Sequence, residues 1–226
     1  MINSTRHKAS YQQEEKKEMI KQGREYRTMA VMAPSEEKRL DSDCYVEGFA
    51  TTFNAPYTLW TTEDGIEIKE QVDRHALDDA DLTDVVFQYN HGGKVFARTK
   101  MKKGASPTLI LEPQDHGLFV AADLSKTESA RGMFEEIETG LVHQMSFGFT
   151  VAEDSYDRET HTRTILRIAK VYDVSAVDFP ANDGTDISSR DWFNGVIEAE
   201  QQERLERERK IKLIKIRTRI MEVKNV

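Results

Sequence analysis

Between residues 45 and 179, short segments of alternating apolar and polar residues follow one another, separated by Gly, Pro and Asn. Such alternation is typical of strands that bury one face. It predicts strands at Tyr45–Phe53, Ile66–Val72, Val85–Tyr89, Val95–Lys100, Thr108–Leu111, Leu118–Leu124, Gln144–Val151, Arg163–Val171 and Asp173–Phe179. Because strand and helix do not alternate strictly, a doubly wound α/β fold is not expected.

One helix interrupts these strands. Ser125 and Glu128 have the spacing of a capping box, in which the two side chains bond the free N–H groups of a helix start. The apolar residues after them recur at helical spacing and predict one buried face, formed by Ala130, Met133, Phe134, Ile137 and Leu141. Gly140 suits the helix end. Many strands and one marked helix predict a β-rich α+β fold, a closed barrel or sandwich with packed helices.

Both ends of the chain are rich in charge. We predict a charged arm over residues 1–44, a folded domain over 45–190 and a helical basic tail over 191–226. The formal net charge is −8, but residues 203–226 carry +5, which leaves −13 on the rest. An acidic body argues against general binding of nucleic acid. The basic tail suits either a solvated helix face or a docking segment for an acidic partner, and its apolar residues also predict self-association: Ile211, Leu213, Ile214 and Ile216.

Composition excludes several kinds of site. The single Cys44 rules out an internal disulfide and a cysteine-based zinc site, and it fits a reducing cytosol. No apolar run approaches the roughly 18 residues that span a bilayer, and the charged N-terminus does not predict a secretory signal. The chain has no glycine-rich phosphate loop, no GxSxG elbow and no ligand-like histidine spacing. We therefore expect neither an NTPase nor an α/β-hydrolase, and no cofactor or metal.

Ser146 is the candidate nucleophile. It lies in an apolar strand, where alternation places it on the face opposite Met145, Phe147 and Phe149. Gly148, on the same face, predicts open space beside the hydroxyl, which a serine nucleophile needs. The pattern alone fits equally a serine on a solvated strand face, which is the commoner case.

His91 is the candidate base. It follows the strand Val85–Tyr89 and precedes two glycines that permit a tight turn. A histidine can take a proton from serine and later return it, although a turn histidine in water is the alternative. We predict that Asp173 orients His91, because a carboxylate among apolar strand residues is costly unless it is paired. Asp178, on the opposite face, is the competing carboxylate.

Three segments together resemble the prohead serine protease family of tailed bacteriophages, which is related to the herpesvirus assemblins. They are Val86–His91, Gly140–Phe149 and Tyr172–Asn182, and they follow the family order. In that order a histidine follows a strand, an S-x-G-F strand comes next, and a VS-x-V-x-x-P-A-N strand and loop comes last. The stretch Gly48–Asn54 also resembles the first strand of the family. The resemblance covers about residues 45–185.

The resemblance implies an assemblin-like closed barrel and a serine endopeptidase with an acyl-enzyme mechanism. Such enzymes cut scaffold sequences from the capsid protein, and cut themselves, inside the assembling procapsid in the host cytoplasm. Ser146 would be the nucleophile, His91 the base and Asp173 the third member, where the family usually carries Glu and assemblins a second histidine.

The expected partners are the major capsid protein and its scaffold region, with no membrane and no specific nucleic acid. We predict that Ala181 and Asn182, in the loop after the Asp173 strand, supply an oxyanion donor, and that Gly148 contributes to substrate binding. The charged ends resemble arms that self-cleavage removes. A catalytically inactive scaffold or capsid-assembly protein with the same fold is the main alternative, and a hydrolase of small esters is another.

Overall fold

The computed structural model describes residues 24–34, 38–62, 64–102, 104–178 and 202–216. The strands are β1 (Glu25–Ala33), β2 (Tyr45–Thr52), β3 (Tyr57–Thr61), β4 (Glu67–Val72), β5 (Val86–Tyr89), β6 (Gly92–Arg98), β7 (Leu109–Pro113), β8 (Gly117–Asp123), β9 (Gln144–Asp157) and β10 (Thr162–Val177). The helix α1 (Glu128–Glu138) lies between β8 and β9, and residues 202–216 form a second helix, α2. The chain divides into two compact units near residue 185, and α2 belongs to the second.

The strands pair in the order β3-β4-β10-β9-β1-β2-β8-β7, and β5 joins β10 to β6. The pairings of β10 with β4 and β5 are parallel, and the other strand pairs are antiparallel. The predicted β-rich α+β class is therefore confirmed. Among the described strands no pairing joins β3 to β7, so the path is open where a closed barrel was predicted.

The strand β1 lies near the middle of this path, between β9 and β2. The sequence pattern did not predict this strand, and its residues fall within the predicted charged arm. The reason is that Glu25 and Arg27, which suggest a solvated segment, are buried in the folded protein. Part of the predicted arm is thus a sheet strand, while the proposed boundaries at residues 44 and 190 stay predictions.

Two other elements differ in extent from the predictions. The strand β10 is a single strand of 16 residues where two were predicted, because register shifts absorb the breaks in its alternation. The helix α1 begins after Thr127, whose hydroxyl accepts the Ala130 N–H at 3.1 Å, so the predicted cap at Ser125 is wrong. Leu141, predicted for the buried face, is 75% exposed, because the helix ends before it at the left-handed Gly140.

The core lies against one face of β9. Met145, Phe147 and Phe149 have no exposed surface, and the rings of the two phenylalanines stack with centroids 4.5 Å apart. Burial of each such side chain stabilises the fold by about 1.5–3 kcal/mol. Because side chains alternate along a strand, this packing directs Ser146 and Gly148 to the opposite face of β9.

Candidate active site

Three adjacent strands form the floor of the candidate site. In the β9–β10 register, Ser146 lies opposite Ser175 and Gly148 lies opposite Asp173. On the other side of β9, Tyr26 of β1 lies opposite Gly148. The pleat places these residues on one face of the sheet, so strand pairing brings together segments that are far apart in the sequence.

His91 reaches this floor from a turn. Tyr89 pairs with Gly92, so Asn90 and His91 form the two-residue turn between β5 and β6, and the two predicted turn glycines follow it. The φ angles of Asn90 and His91 are 47° and 57°, and a type I′ turn requires positive φ at both positions. Glycine is the preferred residue at the second position of this turn, and the left-handed backbone of a histidine there destabilises the fold by about 1–2 kcal/mol. The surrounding structure must therefore hold His91 in place.

The structure brings Ser146, His91 and Asp173 into one hydrogen-bonded series. His91 Nε2 lies 2.7 Å from Ser146 Oγ, and His91 Nδ1 lies 2.6 Å from Asp173 Oδ1. Because a carboxylate accepts, the pairing assigns the ring proton to Nδ1 and leaves Nε2 free to accept the serine hydroxyl. A serine, a histidine and a carboxylate in this order can move a proton from the serine oxygen to the imidazole.

The candidate nucleophile, Ser146, is covered by other side chains. Ser146 has no exposed surface, and the side chains of His91 and Asp173 are 18% and 4% exposed. The Tyr26 ring packs against the His91 ring, with centroids 4.1 Å apart and planes tilted by 55°. The prediction of an accessible hydroxyl with open space beside it is therefore wrong, because the side chains around Ser146 fill that space.

Gly148 permits this close packing. A Cβ atom at this position would lie 2.5 Å from Asp173 Oδ2 and 2.8 Å from Tyr26 Cε1. Both distances are far below van der Waals contact, so any larger residue would displace the carboxylate, the tyrosine ring or both. The space that Gly148 leaves is occupied by the group that contacts His91.

We expect Gly148→Ala to slow the reaction of Ser146 by about tenfold or more and to destabilise the fold by about 1–3 kcal/mol, since the added methyl would displace the Asp173 carboxylate, the Tyr26 ring or both, and each of them contacts His91. The measurements are the rate of labelling by a fluorophosphonate and unfolding in urea. Gly132→Ala is the matched control. Gly132 lies within α1 with no atom within 4 Å of its would-be Cβ, so there alanine should stabilise by about 0.5–1 kcal/mol and leave labelling unchanged. Equal labelling by both variants would contradict this account of Gly148.

The other predicted residues fall outside the series. The Asp178 carboxylate lies beside Tyr89, and it adds to the effect of burial in raising the pKa of that tyrosine. Ala181 and Asn182 lie outside the described residues. Within the part of the chain that the structure describes, no three His, Cys, Asp or Glu side chains are grouped as a metal site would require. None of the described helices is long and apolar enough to cross a membrane.

Two residues that contact the series were missed. Ser175 lies two positions after Asp173 on the same strand face, so alternation could have identified it. Its hydroxyl donates to Asp173 Oδ1 at 2.9 Å. Tyr26 had no such signal, because its strand was not predicted and it is joined to the site only through pairing of β1 with β9.

Glu25 and Arg27, which flank Tyr26 in the sequence, belong to a buried cluster of ion pairs. Arg27 contacts Glu70 at 2.5 Å and Glu25 at 2.6 Å, while Arg163 contacts Glu25 at 2.7 Å and Glu70 at 3.0 Å. These distances join guanidinium nitrogens to carboxylate oxygens. The four residues tie β1 to β4 and β10, on the opposite side of β1 from the ring of Tyr26.

The charges in this cluster stabilise one another. Burial alone would raise the pKa of Glu70, but the charge and hydrogen bond of Arg27, together with Arg163, lower it below its usual value. The hydroxyl of Tyr57 donates to Glu70, and burial next to that carboxylate raises the pKa of Tyr57 well above its usual value. Arg27 and Arg163 thus favour the charged form of Glu70, and the loss of this carboxylate would leave both buried guanidinium groups with one partner fewer.

The family model of the caudovirus prohead serine proteases matches residues 31–203. The chain belongs to this family. This prohead protease is therefore a member of a class of serine peptidases, and the predicted resemblance to the prohead protease family is confirmed. The matched range contains His91, Ser146 and Asp173, and it begins within β1, so Tyr26 and the acidic and basic residues beside it precede the match. Comparisons with curated proteins and with solved structures gave no significant match.

Proposed function

We propose that this prohead protease is a serine endopeptidase in which Ser146 is the nucleophile, His91 the general base and Asp173 the group that orients the base. The observation that carries the proposal is the series of hydrogen bonds from Ser146 Oγ through the imidazole to Asp173 Oδ1, at 2.7 and 2.6 Å. Membership of the prohead protease family supports the class of reaction.

In the first half of the proposed reaction, Ser146 Oγ attacks the carbonyl carbon of the scissile peptide bond while its proton moves to His91 Nε2. The C–N bond then breaks, and the departing amine takes the proton from His91. The products are an ester between Ser146 and the acyl half of the substrate, and a free new N-terminus. The Asp173 carboxylate stabilises the imidazolium that forms between these steps.

In the second half, water attacks the ester carbonyl and gives its proton to His91 Nε2. The ester C–O bond breaks, Ser146 recovers the proton, and a new C-terminal carboxylate leaves. Both halves pass through an oxyanion that N–H donors must stabilise. We propose Ala181 and Asn182 for this role, because they follow β10 in the sequence, and the Ala176 carbonyl of β10 accepts the N–H of the turn residue Asn90. Gly148 would serve by admitting the Asp173 carboxylate rather than by touching the substrate.

The burial of Ser146 supports the proposal that the activity of the enzyme is regulated. Because Ser146 has no exposed surface, a peptide carbonyl can reach it only if covering side chains move aside. Such an enzyme would react only when this cover opens briefly, so cleavage would be slow while the shell assembles and fast once scaffold segments are held against it. We propose that its substrates are the scaffold region of the major capsid protein and its own charged ends, cut inside the procapsid in the host cytoplasm.

The basic C-terminal segment is proposed to bind acidic scaffold. Every residue of α2, at positions 202–216, is exposed, and its Lys and Arg outnumber its Glu. Deletion of residues 203–226 should therefore lower the amount of protease in purified procapsids. The amount would be measured against the capsid protein by quantitative mass spectrometry, and unchanged packaging would refute this role.

The function is tested by co-expression of the chain with its capsid and scaffold proteins, with chain lengths read by mass spectrometry. Wild type should shorten the capsid protein and its own ends, and Ser146→Ala should leave every chain at full length. Ser155→Ala removes an exposed serine from the same strand and should behave as wild type. Cleavage that persists in Ser146→Ala would rule out this nucleophile. Full-length chains in all three cases would favour the inactive scaffold protein.

A further inference from the structure

Ser175 has no part in the proton transfers of the proposed mechanism, yet it is fully buried beside them. It lies on β10 opposite Ser146 and two residues beyond Asp173. None of its surface is exposed, so its hydroxyl must find partners inside the protein.

The hydroxyl of Ser175 contacts two members of the series. It accepts the backbone N–H of His91 at 3.2 Å and donates to Asp173 Oδ1 at 2.9 Å. Asp173 Oδ1 is the same oxygen that receives His91 Nδ1 at 2.6 Å. The bonds form a closed loop from the backbone of His91 through Ser175 and Asp173 to the ring of His91. Both ends of the histidine are thereby fixed relative to a single carboxylate oxygen.

The conformation of His91 explains why such a loop is needed. Its φ of 57° is unfavourable for a residue with a side chain, and the turn is held at Asn90 by the Ala176 carbonyl. A partly buried N–H without an acceptor would add a further cost. Because Ser175 supplies the acceptor for His91, it offsets part of the cost of the turn that presents the imidazole to Ser146.

We infer that Ser175 is a positioning residue of the proposed reaction, which holds the turn at His91 and the Asp173 carboxylate in one arrangement and so fixes the orientation of the imidazole. This inference rests on the proposed function. Ser175 does not itself exchange a proton with the substrate, because its hydroxyl donates to Asp173 and the Nε2 atom of His91 faces Ser146.

The inference is tested by Ser175→Ala in the full-length chain, with two measurements. The first is the rate at which a fluorophosphonate, which loses fluoride to an activated serine, labels Ser146. We expect this rate to fall about ten- to a hundredfold, because the His91 N–H and the carboxylate each lose a partner. The second is the far-downfield proton resonance of a histidine Nδ1–H bonded to a carboxylate, assigned by its absence in His91→Asn. We expect that resonance to weaken or disappear.

Two variants separate positioning from general damage to the fold. Ser175→Thr keeps a hydroxyl and should restore the resonance and most of the labelling. Thr150→Ala removes a buried hydroxyl from β9, four residues beyond Ser146, and should change neither the resonance nor the labelling rate. A downfield resonance that is retained in Ser175→Ala, or absent from wild type, would overturn the inference whatever the labelling shows. Equal labelling of wild type and Ser146→Ala would instead refute the proposed nucleophile, and the resonance would still decide the role of Ser175.

Discussion

Replacement of Asp173 by Asn is expected to slow acylation of Ser146 by about a thousandfold or more while the fold is retained. The neutral amide cannot stabilise the imidazolium that forms when His91 takes the serine proton. Its NH2 group can also donate to Nδ1, which stabilises the tautomer that carries its proton on Nε2. In that tautomer His91 cannot accept the proton of Ser146.

The measurement is the labelling rate of the full-length chain with a fluorophosphonate, alongside thermal unfolding to verify the fold. Asp178→Asn is the matched control, because Asp178 directly follows β10 and its carboxylate lies beside Tyr89 rather than His91. This control should label at the wild-type rate. If Asp178→Asn were the slower variant, the assignment of Asp173 as the third member would fail.

The largest expected effect on stability comes from Glu70→Ala, which should lower the free energy of unfolding by about 3–5 kcal/mol. Glu70 has no exposed surface and contacts both Arg27 and Arg163, so its removal leaves two buried guanidinium groups short of a partner. Urea unfolding of the full-length chain measures the change without adding salt.

The same strand provides the control for Glu70. Glu67 forms an ion pair with Lys69 at 3.1 Å, but its side chain is 56% exposed. Glu67→Ala should therefore cost no more than about 1 kcal/mol, since water screens such pairs. Similar losses in the two variants would show that burial of the ion cluster adds nothing to its effect on stability.

The dependence on pH has a definite sign. Because the pKa of Glu70 is lower in the folded chain than its usual value, its contribution is present above about pH 4.3 and is lost as the pH falls through the folded pKa. The difference in stability between wild type and Glu70→Ala should therefore narrow below about pH 4. A difference that widened on acidification would contradict the charged state assigned to Glu70.

Of the three strands that form the floor of the site, the sequence predicts the β9 and β10 segments, because one-sided burial leaves a clear alternation, but not β1. Phe147 and Phe149 on the core face of β9 identify the face on which Ser146 lies. Because a buried carboxylate is unfavourable unless it is paired, the sequence predicted a partner for Asp173. In the structure that partner is His91. The pattern alone favoured a serine on a solvated strand face for Ser146 and a turn histidine in water for His91. The catalytic interpretation of both residues came from the resemblance to a family.

The sequence does not predict how the site is covered. Tyr26 reaches His91 only because β1 pairs with β9, and no local pattern reports a pairing over that separation. Alternation likewise could not show that the Asp173 carboxylate fills the space above Gly148. Charge was misleading in β1, since Glu25 and Arg27 are buried by ion pairs that form only when β4 and β10 are in place.

The position of β1 has a consequence during translation. The residues of β1 leave the ribosome early, but they cannot pair until β9 has been synthesised. The site around Ser146 is complete only after Asp173 of β10, which lies later in the sequence. On the proposed mechanism, a nascent chain that lacks β10 has no oriented base beside Ser146, and we expect it to cut neither itself nor its neighbours. A product of premature termination before Asp173 would be inactive for the same reason, so the proposed mechanism makes completion of synthesis a condition for proteolysis.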